Sequence, residues 1–329
     1  MRLKKLVATT VGACMMLTSA VVIAETLKLS HIRPQGTVAD KDVKAFIEDA
    51  QSQAESLEFN VYAANALGDY TDVQERVSMG AVDMALQPAS SAADRKLQLG
   101  LMPYLATDWD SAADIYGVDA NIRKEMEELY QKQDIKVLAA YPVYFGGIAL
   151  NKDPFDEDGK QRNLKLRVPP FKTFSLLAES LGYIPAPIPF AEAFTSVQTG
   201  VVDGVIGAGA EGYYDSFRDV TKYYIPMNTH FEIWYLLINQ DTFNGLEEDE
   251  QKALLEAASN FENNRWENVE SEQTRNENRL ADAGAELIDV SDEDLEKAAA
   301  DAREHVWPEI MKDMGEDWAK SVLEPLLED

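Results

Sequence analysis

The sequence places one arginine where a predicted strand ends. In LKLRVPPF (164–171), apolar and basic side chains alternate up to Arg167 and Val168, and two prolines follow. Proline cannot donate a hydrogen bond to a sheet ladder, so the chain must leave the sheet at that point. Arg167 is therefore a permanent cation close to a strand end. This stretch alone leaves open whether it is a functional charge or a surface arginine on the polar face of an edge strand.

A second segment has the spacing of a phosphate-binding turn. GAGAEG (207–212) matches G-x-G-x-x-G after the predicted strand VDGVI, and Glu232 lies 20 positions beyond Gly212. In a dinucleotide-binding protein, such a turn holds a pyrophosphate at a helix N-terminus. Against this interpretation, the motif lies in mid-chain, the predicted helix after it is short, and the N-terminus predicts export away from nicotinamide pools. An exported NAD(P)-type oxidoreductase is therefore kept only as an alternative.

Few other residues have a pattern typical of catalysis. The three histidines, His31, His230 and His305, are far apart in sequence, and the chain has no HExxH or G-x-S-x-G motif. The only cysteine, Cys14, lies in the apolar N-terminal segment, which excludes thiol chemistry and disulfides from the mature chain. The acidic residues occur in runs such as EEDE and SDED, which are typical of solvated surfaces. We expect no enzymatic activity, no cofactor and no metal.

The first 24 residues are predicted to be a secretory signal peptide. MRLKK is basic, residues 6–23 are largely apolar, and small residues precede Glu25. A retained membrane anchor and a lipoprotein cleaved before Cys14 are the alternatives. The threonines and the serine in the apolar run weaken the first, and the short apolar segment upstream of Cys14 weakens the second. Since no later segment has the apolar length of a membrane helix, the sequence predicts a soluble periplasmic protein.

The net charge limits the partners. The chain has 58 acidic and 30 basic residues, which gives a formal charge of −28. Such a surface repels nucleic acids and anionic membranes, so we expect neither as a partner. It suits solubility in concentrated salt, where self-repulsion between charges is screened.

The elements that must position these residues alternate between strand and helix. TLKLSHI (26–32) and FNVYAA (59–64) have the composition of strands, and the helical pattern of residues 40–57 lies between them. The alternation continues to about Leu246, after which the sequence is mostly acidic helix. This order predicts an α/β fold with mixed sheets.

An internal repeat predicts two similar units. VSMGAVDMAL (77–86) and VQTGVVDGVI (197–206) share V-x-x-G, an apolar residue, V-D-x and two apolar residues. Each predicts a helix that ends at a glycine, Gly80 or Gly200, in the left-handed conformation that glycine favours. Two α/β lobes leave a cleft between them, and small ligands usually bind in such clefts.

The chain resembles the solute-binding proteins of tripartite ATP-independent periplasmic (TRAP) transporters, in their dicarboxylate-type branch. The resemblance covers essentially the whole mature chain, and its most specific parts are K-L-R-V-P, P-I-P-F-A-E and Q-T-G-V-V-D-G. The segments that carry it are LKLSHI (27–32), ALGDYTDVQERVSMGAVDMAL (66–86), MPYL (102–105), NLKLRVPPF (163–171), PIPFAEAFTSVQTGVVDG (187–204) and IWYLLINQDTF (233–243).

This resemblance implies a two-lobe periplasmic binding protein that closes on its ligand and delivers it to a TRAP membrane permease on an ion gradient. It also implies that Arg167 forms a two-pronged salt bridge with the ligand's carboxylate, for which the planar guanidinium is suited. The implied division is a signal peptide (1–24), lobe I (25–145 plus about 233–275) and lobe II (146–232 plus about 276–329), with crossings near 140–148 and 230–236.

The sequence departs from the family pattern at two places. Gly207 stands where many relatives have an asparagine that reaches the ligand, and Ile148 stands where many have a second arginine. Both differences weaken the case for an ordinary dicarboxylate. Arg33, just beyond the first strand, and Glu232, on the crossover strand, are the residues expected to compensate.

Aromatic and amide side chains complete the predicted site. By resemblance, Gln87 and Ser90 are candidates for polar contacts with the ligand. The aromatic candidates are Tyr144, Phe145, Phe171, Phe190 and Trp234, of which Phe171 and Trp234 are preferred because they flank the arginine turn and the crossover.

The chemistry of the ligand stays open at this point. Glu232 together with Arg167 suits a zwitterion or a small amine, whereas Arg167 together with Arg33 suits an organic acid. Glu232 has a second interpretation, in which it pairs with a protein cation such as Arg33 and only stabilises the fold.

Overall fold

The computed structural model describes residues 26–326, so the predicted signal peptide lies outside the described residues. Eleven strands are described in this part of the chain. They are β1 (Thr26–His31), β2 (Glu58–Tyr62), β3 (Met84–Pro88), β4 (Ile135–Phe145), β5 (Gly147–Leu150), β6 (Lys165–Val168), β7 (Ile184–Pro187), β8 (Gly204–Ala208), β9 (Tyr223–Ile225), β10 (Phe231–Asn239) and β11 (Glu286–Leu287).

Twelve α-helices pack around the strands of the described chain. They are α1 (Val38–Gln53), α2 (Tyr70–Ser78), α3 (Trp109–Tyr116), α4 (Asn121–Gln131), α5 (Lys172–Ser180), α6 (Phe190–Gln198), α7 (Ala210–Phe217), α8 (Gln240–Gly245), α9 (Glu248–Asp282), α10 (Asp292–Asp301), α11 (Trp307–Met314) and α12 (Glu316–Leu323). A π-helical turn, Ala302–Val306, joins α10 to α11.

The strands form two sheets, each with parallel and antiparallel neighbours. The first has the order β2-β1-β3-β10-β4, and the second has the order β11-β9-β5-β8-β6-β7. In the first, β1 is parallel to β3 and β10 is antiparallel to β3. In the second, β6 is parallel to β8 and β5 is antiparallel to β8. The predicted α/β class with mixed sheets is confirmed.

The chain passes between the sheets at Gly146 and again between Ile225 and Phe231. The two crossing segments are hydrogen-bonded to each other: the N–H of Gly146 donates to the carbonyl of His230 at 2.8 Å, and the N–H of Thr229 donates to the carbonyl of Gly146 at 2.9 Å. A Cβ at Gly146 would lie 2.3 Å from the His230 ring, so only glycine fits this contact. The crossings therefore meet at one narrow point.

The internal repeat corresponds to two equivalent pieces of structure. α2 and α6 are each followed by a glycine with positive φ, Gly80 at 70° and Gly200 at 75°, and each then leads into a strand. In both copies the aspartate just before the strand accepts a backbone N–H from the neighbouring parallel strand. Asp83 accepts from Lys28 at 2.8 Å and Asp203 accepts from Lys165 at 3.0 Å. The predicted repeat is confirmed, and the aspartate fixes the alignment of the two central parallel strands.

Helix α9 joins the two halves. Its 35 residues pack against α1 and β4 beside the first sheet and against α7 beside the second. Buried polar contacts hold it to α4 and β4: the carboxylate of Glu262 accepts from Arg123 of α4 at 3.1 Å and from the N–H of Ala140 in β4 at 2.9 Å. The guanidinium of Arg265 likewise donates to the carbonyl of Pro142 at 2.7 Å. Among the helices described for residues 26–326, none combines the length and apolar character needed to cross a membrane.

Candidate functional site

A small cavity lies where the two sheets face each other. Its volume is about 20 Å³, which is room for about one water molecule, so its walls are close together. Six of the eight predicted site residues line it, and they come from both halves of the fold. These are Arg33 after β1, Arg167 in β6, Phe171 before α5, Gly207 in β8, and Glu232 and Trp234 in β10.

The other two predicted contacts lie outside the cavity lining. Both are buried, but their polar groups are engaged elsewhere. The amide of Gln87 donates to the carbonyl of Tyr70 at 2.8 Å, and the N–H of Ser90 donates to the side chain of Gln74 at 2.8 Å. Both contacts tie β3 and the loop after it to α2. A role for Gln87 and Ser90 in ligand binding stays a prediction.

The aromatic candidates divide in the same way. Tyr144, Phe171, Phe190 and Trp234 line the cavity, whereas Phe145 packs against Trp109 and Phe231 in the core. Tyr70 and Phe174, which were not predicted, are also in the cavity wall. Ile148, at the position of the missing second arginine, lines a different pocket.

Arg167 is a buried cation without an anionic partner in the described chain. Its side chain is 1% exposed, and its Nε donates to the carbonyl of Ile188 at 2.8 Å. Within residues 26–326, its Nη2 has no hydrogen-bond partner and no carboxylate lies within 4 Å of the guanidinium. Burial lowers the pKa of Arg167, because the low-dielectric surroundings disfavour the charged form. Nη2 of this guanidinium therefore needs a hydrogen-bond acceptor that residues 26–326 do not supply.

Arg33, by contrast, has a partner from the opposite half of the fold. Its Nε donates to both carboxylate oxygens of Glu211, at 2.9 and 3.0 Å, and both side chains are buried. Burial alone would lower the pKa of Arg33, but the charge and hydrogen bonds of Glu211 outweigh it and raise that pKa. The guanidinium also lies 4.7 Å from the ring centroid of Trp234 and 5.5 Å from that of Phe190. Arg33 therefore pairs with Glu211 and not with Glu232.

Glu211 affects a second acid nearby. Burial, together with the charge of Glu211, raises the pKa of Asp215 to about 6. Sequence reasoning treated Glu211 only as part of the glycine-rich motif. The available signal was an acidic residue in the first turn of the helix that follows β8.

Glu232 is held by two neighbouring side chains, one of which is itself held by a third. Its Oε1 accepts from the indole N–H of Trp234 at 2.7 Å, and its Oε2 lies 3.0 Å from Nε2 of His230. The other ring nitrogen of His230 lies 3.0 Å from the hydroxyl of Thr229. A carboxylate only accepts hydrogen bonds, so Nε2 of His230 carries the hydrogen in this pair. The side chain of Glu232 is thus fixed in the cavity wall.

The glycines of GAGAEG make close packing possible. A Cβ at Gly207 would lie 2.5 Å from Cδ of Pro169, and one at Gly209 would lie 2.5 Å from the ring of Tyr144. A Cβ at Gly212 would lie 2.7 Å from Nη2 of Arg33. The first turn of α7 also carries Glu211, whose negative charge opposes a pyrophosphate. The contacts of the motif therefore do not favour dinucleotide binding.

Replacing Gly207 by alanine should reduce the free energy of unfolding more than the same change at Gly200. Both glycines have positive φ, 94° and 75°, and a side chain at such angles costs about 1–3 kcal/mol. Only at Gly207 would the new Cβ also meet the ring of Pro169, and overpacking of this kind costs about a further 1–3 kcal/mol. Urea denaturation of both variants measures the difference, and equal losses would contradict this packing.

The family follows from a match over most of the chain. Residues 29–313 match the model of the DctP family, described as bacterial extracellular solute-binding protein, family 7. The chain belongs to this family. DctP-family proteins of the TRAP type are extracytoplasmic receptors that bind a small solute and work with TRAP permease subunits.

Individual relatives agree with this assignment. The ectoine-binding periplasmic protein TeaA of Halomonas elongata is 24% identical over an alignment of 335 positions, which covers 95% of this chain and 94% of TeaA. A TRAP solute-binding protein of Haemophilus influenzae, solved with L-gulonate, has a TM-score of 0.82 at 24% identity and covers 92% of this chain and 99% of its own. A TRAP solute-binding protein of Roseobacter denitrificans, solved with L-galactonate, has a TM-score of 0.79 at 22% identity. The match covers 92% of this chain and 98% of the Roseobacter chain. The predicted two-lobe binding-protein fold is confirmed by these structures.

Proposed function

We propose that this DctP-family chain binds a small organic acid or zwitterion through a carboxylate that meets Arg167, and that it performs no catalysis. The observation that carries the proposal is the buried guanidinium of Arg167, whose Nη2 lacks a partner within the described residues. The proposed route is uptake from the periplasm by closure of the cleft, followed by delivery to a TRAP permease on an ion gradient. The dinucleotide alternative is not favoured.

The energetics of Arg167 favour a carboxylate as the group it binds. A buried charge without a partner costs several kcal/mol, and a carboxylate recovers that cost through two parallel charge-assisted hydrogen bonds. A small amine without a carboxylate would leave the guanidinium unpaired, so that alternative is not favoured. The relatives agree, since gulonate and galactonate are carboxylates and ectoine carries one.

We further propose that the cavity forms when two lobes close. A cavity of about 20 Å³ does not admit such a solute without movement of its walls. The proposed lobe I (25–145 plus about 233–275) carries most of the first sheet, and lobe II (146–232 plus about 276–329) carries the second. The crossings at Gly146 and between Ile225 and Phe231 are where a hinge would act.

A thermal-shift screen tests the proposed function on the mature chain. Organic acids, amino acids, osmolytes and small amines form the panel. Saturation at 100 times the dissociation constant adds about 2.7 kcal/mol to the free energy of unfolding, which shifts the melting temperature measurably. Saturable binding without turnover supports the proposal. NADH binding with hydride transfer, or the absence of any saturable ligand, would overturn it.

Ligand binding should also make the protein more compact. A ligand bound between two lobes stabilises the closed form over the open one, so the radius of gyration should decrease when ligand is added. Small-angle X-ray scattering with and without saturating ligand measures this change. An unchanged radius of gyration at confirmed saturation would contradict the proposal that the two lobes close when the solute binds.

A further inference from the structure

The geometry points to a second charged subsite in the same cavity. We propose that Glu232 accepts hydrogen bonds from a cationic N–H group of the solute, and that the solute is therefore a compact zwitterion. Its carboxylate would meet Arg167 and its ammonium or amidinium group would meet Glu232. This inference rests on the proposed function, since both subsites belong to the cleft that contains Arg167.

The first reason is the set of donors around Glu232. Each carboxylate oxygen accepts one hydrogen bond in the structure, from Trp234 or from His230. A carboxylate oxygen can accept two, so each retains capacity for a further donor. No lysine or arginine of the described chain lies within 4 Å of Glu232, whose only ion-pair contact is with His230. This buried carboxylate, 4% exposed, therefore has no permanent cation as a partner.

The second reason is the balance of permanent charges in the cavity. Arg33 and Glu211 form a closed pair and leave no net charge. Arg167 then contributes one unpaired positive charge and Glu232 one negative charge. A dicarboxylate would place a second negative charge beside Glu232, and a plain monocarboxylate would leave Glu232 without a counterion. Among these classes only a zwitterion satisfies both charges, and a buried charge is costly unless it is paired.

The third reason is the nature of the walls. The rings of Tyr70, Tyr144, Phe171, Phe190 and Trp234 line the cavity together with Phe174. Aromatic faces attract cations, and most strongly where water is excluded. Such walls suit an alkylated or delocalised cation better than the several hydroxyl groups of a sugar acid, for which few polar partners are present in this lining.

His230 is assigned as a positioning residue for this subsite. The ring is buried, lies between Thr229 and Glu232, and packs edge-on against Phe174 at 4.9 Å between centroids. Both ring nitrogens are therefore engaged, which fixes the ring and the carboxylate that it holds. His230 itself is absent from the cavity lining, so it would act through Glu232.

The test is a calorimetric comparison of matched ligands on the full mature chain. A screen with equal numbers of zwitterions that carry a cationic N–H group (proline, pipecolate, sarcosine, ectoine) and plain acids (cyclopentanecarboxylate, cyclohexanecarboxylate, gulonate, malate) first ranks the two classes. We expect the tightest ligands to be zwitterions, bound at least 10-fold more tightly than the acid of equal size without the nitrogen. In Glu232→Gln this ratio should fall to within about 3-fold, and the melting temperature of the unliganded protein should change little.

Two further variants separate a specificity role from a structural one. His230→Gln retains a donor toward Glu232 and should keep most of the preference, whereas His230→Ala should lower it. Glu192→Gln, a change in an exposed glutamate of α6, is the matched control and should leave the preference unchanged.

The outcomes are distinguishable from those of the proposed function. If plain acids bind as tightly as zwitterions and still depend on Arg167, the subsite is wrong and the proposed function stands. A zwitterion preference that survives in Glu232→Gln would also overturn the subsite. If nothing binds, the proposed function fails and this inference fails with it.

Discussion

Replacing Arg167 by alanine should weaken solute binding by roughly 30- to 4,000-fold while the unliganded protein keeps its stability. The loss of one member of a buried charge pair costs about 2–5 kcal/mol of binding, which corresponds to that range. The unliganded protein should not suffer, because burial already disfavours the charged form of Arg167 and lowers its pKa. The change removes the hydrogen bond to the carbonyl of Ile188 and the contact of the guanidinium with the ring of Phe190, whose centroid lies 5.7 Å away.

Titration calorimetry and a melting curve of the same preparations check this prediction. Arg167→Lys should also bind poorly, because an ammonium group cannot reproduce the planar fork of a guanidinium. Arg162→Ala, at an exposed arginine in the loop before β6, is the control for the loss of one positive charge. Unaltered affinity in Arg167→Ala would remove the main residue of the proposed site.

Local rules predicted that Arg167 lies close to a strand end, whereas its role in binding a carboxylate came from the family resemblance. Two prolines follow β6 immediately after Val168, so the arginine had to lie near the end of a strand where the chain turns, although β6 itself lies between β8 and β7 in the sheet. The repeat around Asp83 and Asp203 was visible for a similar reason. A helix, a left-handed glycine and a strand leave a short and specific pattern in the sequence.

The ion pair of Arg33 had no such local pattern. Its partner, Glu211, is 178 positions away, and the pairing follows only from how the two sheets face each other. Gln87 illustrates a different limit. All five residues of β3 are buried. Its sequence therefore lacks the alternation of apolar and polar residues that would show which side chains face the cleft. The break at Gly146, where the chain leaves one sheet and enters the other, agrees with the crossing near 140–148 that the family resemblance implied, whereas the apolar run FGGIALN by itself gives no local signal for it.

Replacing Glu211 by glutamine should reduce solute affinity by roughly 100-fold or more. Arg33 follows β1, a strand of the first sheet. Glu211 lies in the first turn of α7, which follows β8 of the second sheet, so the ion pair between them spans the cleft. Breaking a buried pair by removing one partner costs about 3–5 kcal/mol, because the other charge is left buried without compensation. If the lobes separate in the open form, both side chains reach water there. The cost then falls on the closed form, which is the form that holds the solute.

A double-mutant cycle separates this role in closure from a general role in folding. The cycle compares Arg33→Met, Glu211→Leu and the two changes together. Replacing a buried pair by apolar side chains is often neutral, so the double variant should recover much of the affinity that Glu211→Leu alone loses. Calorimetry gives the affinities, and urea denaturation gives the stability of the unliganded proteins. Glu192→Gln again serves as the control for the lost negative charge. A lower unfolding midpoint with unchanged affinity would mean that the pair stabilises the fold and has no part in closing the cleft.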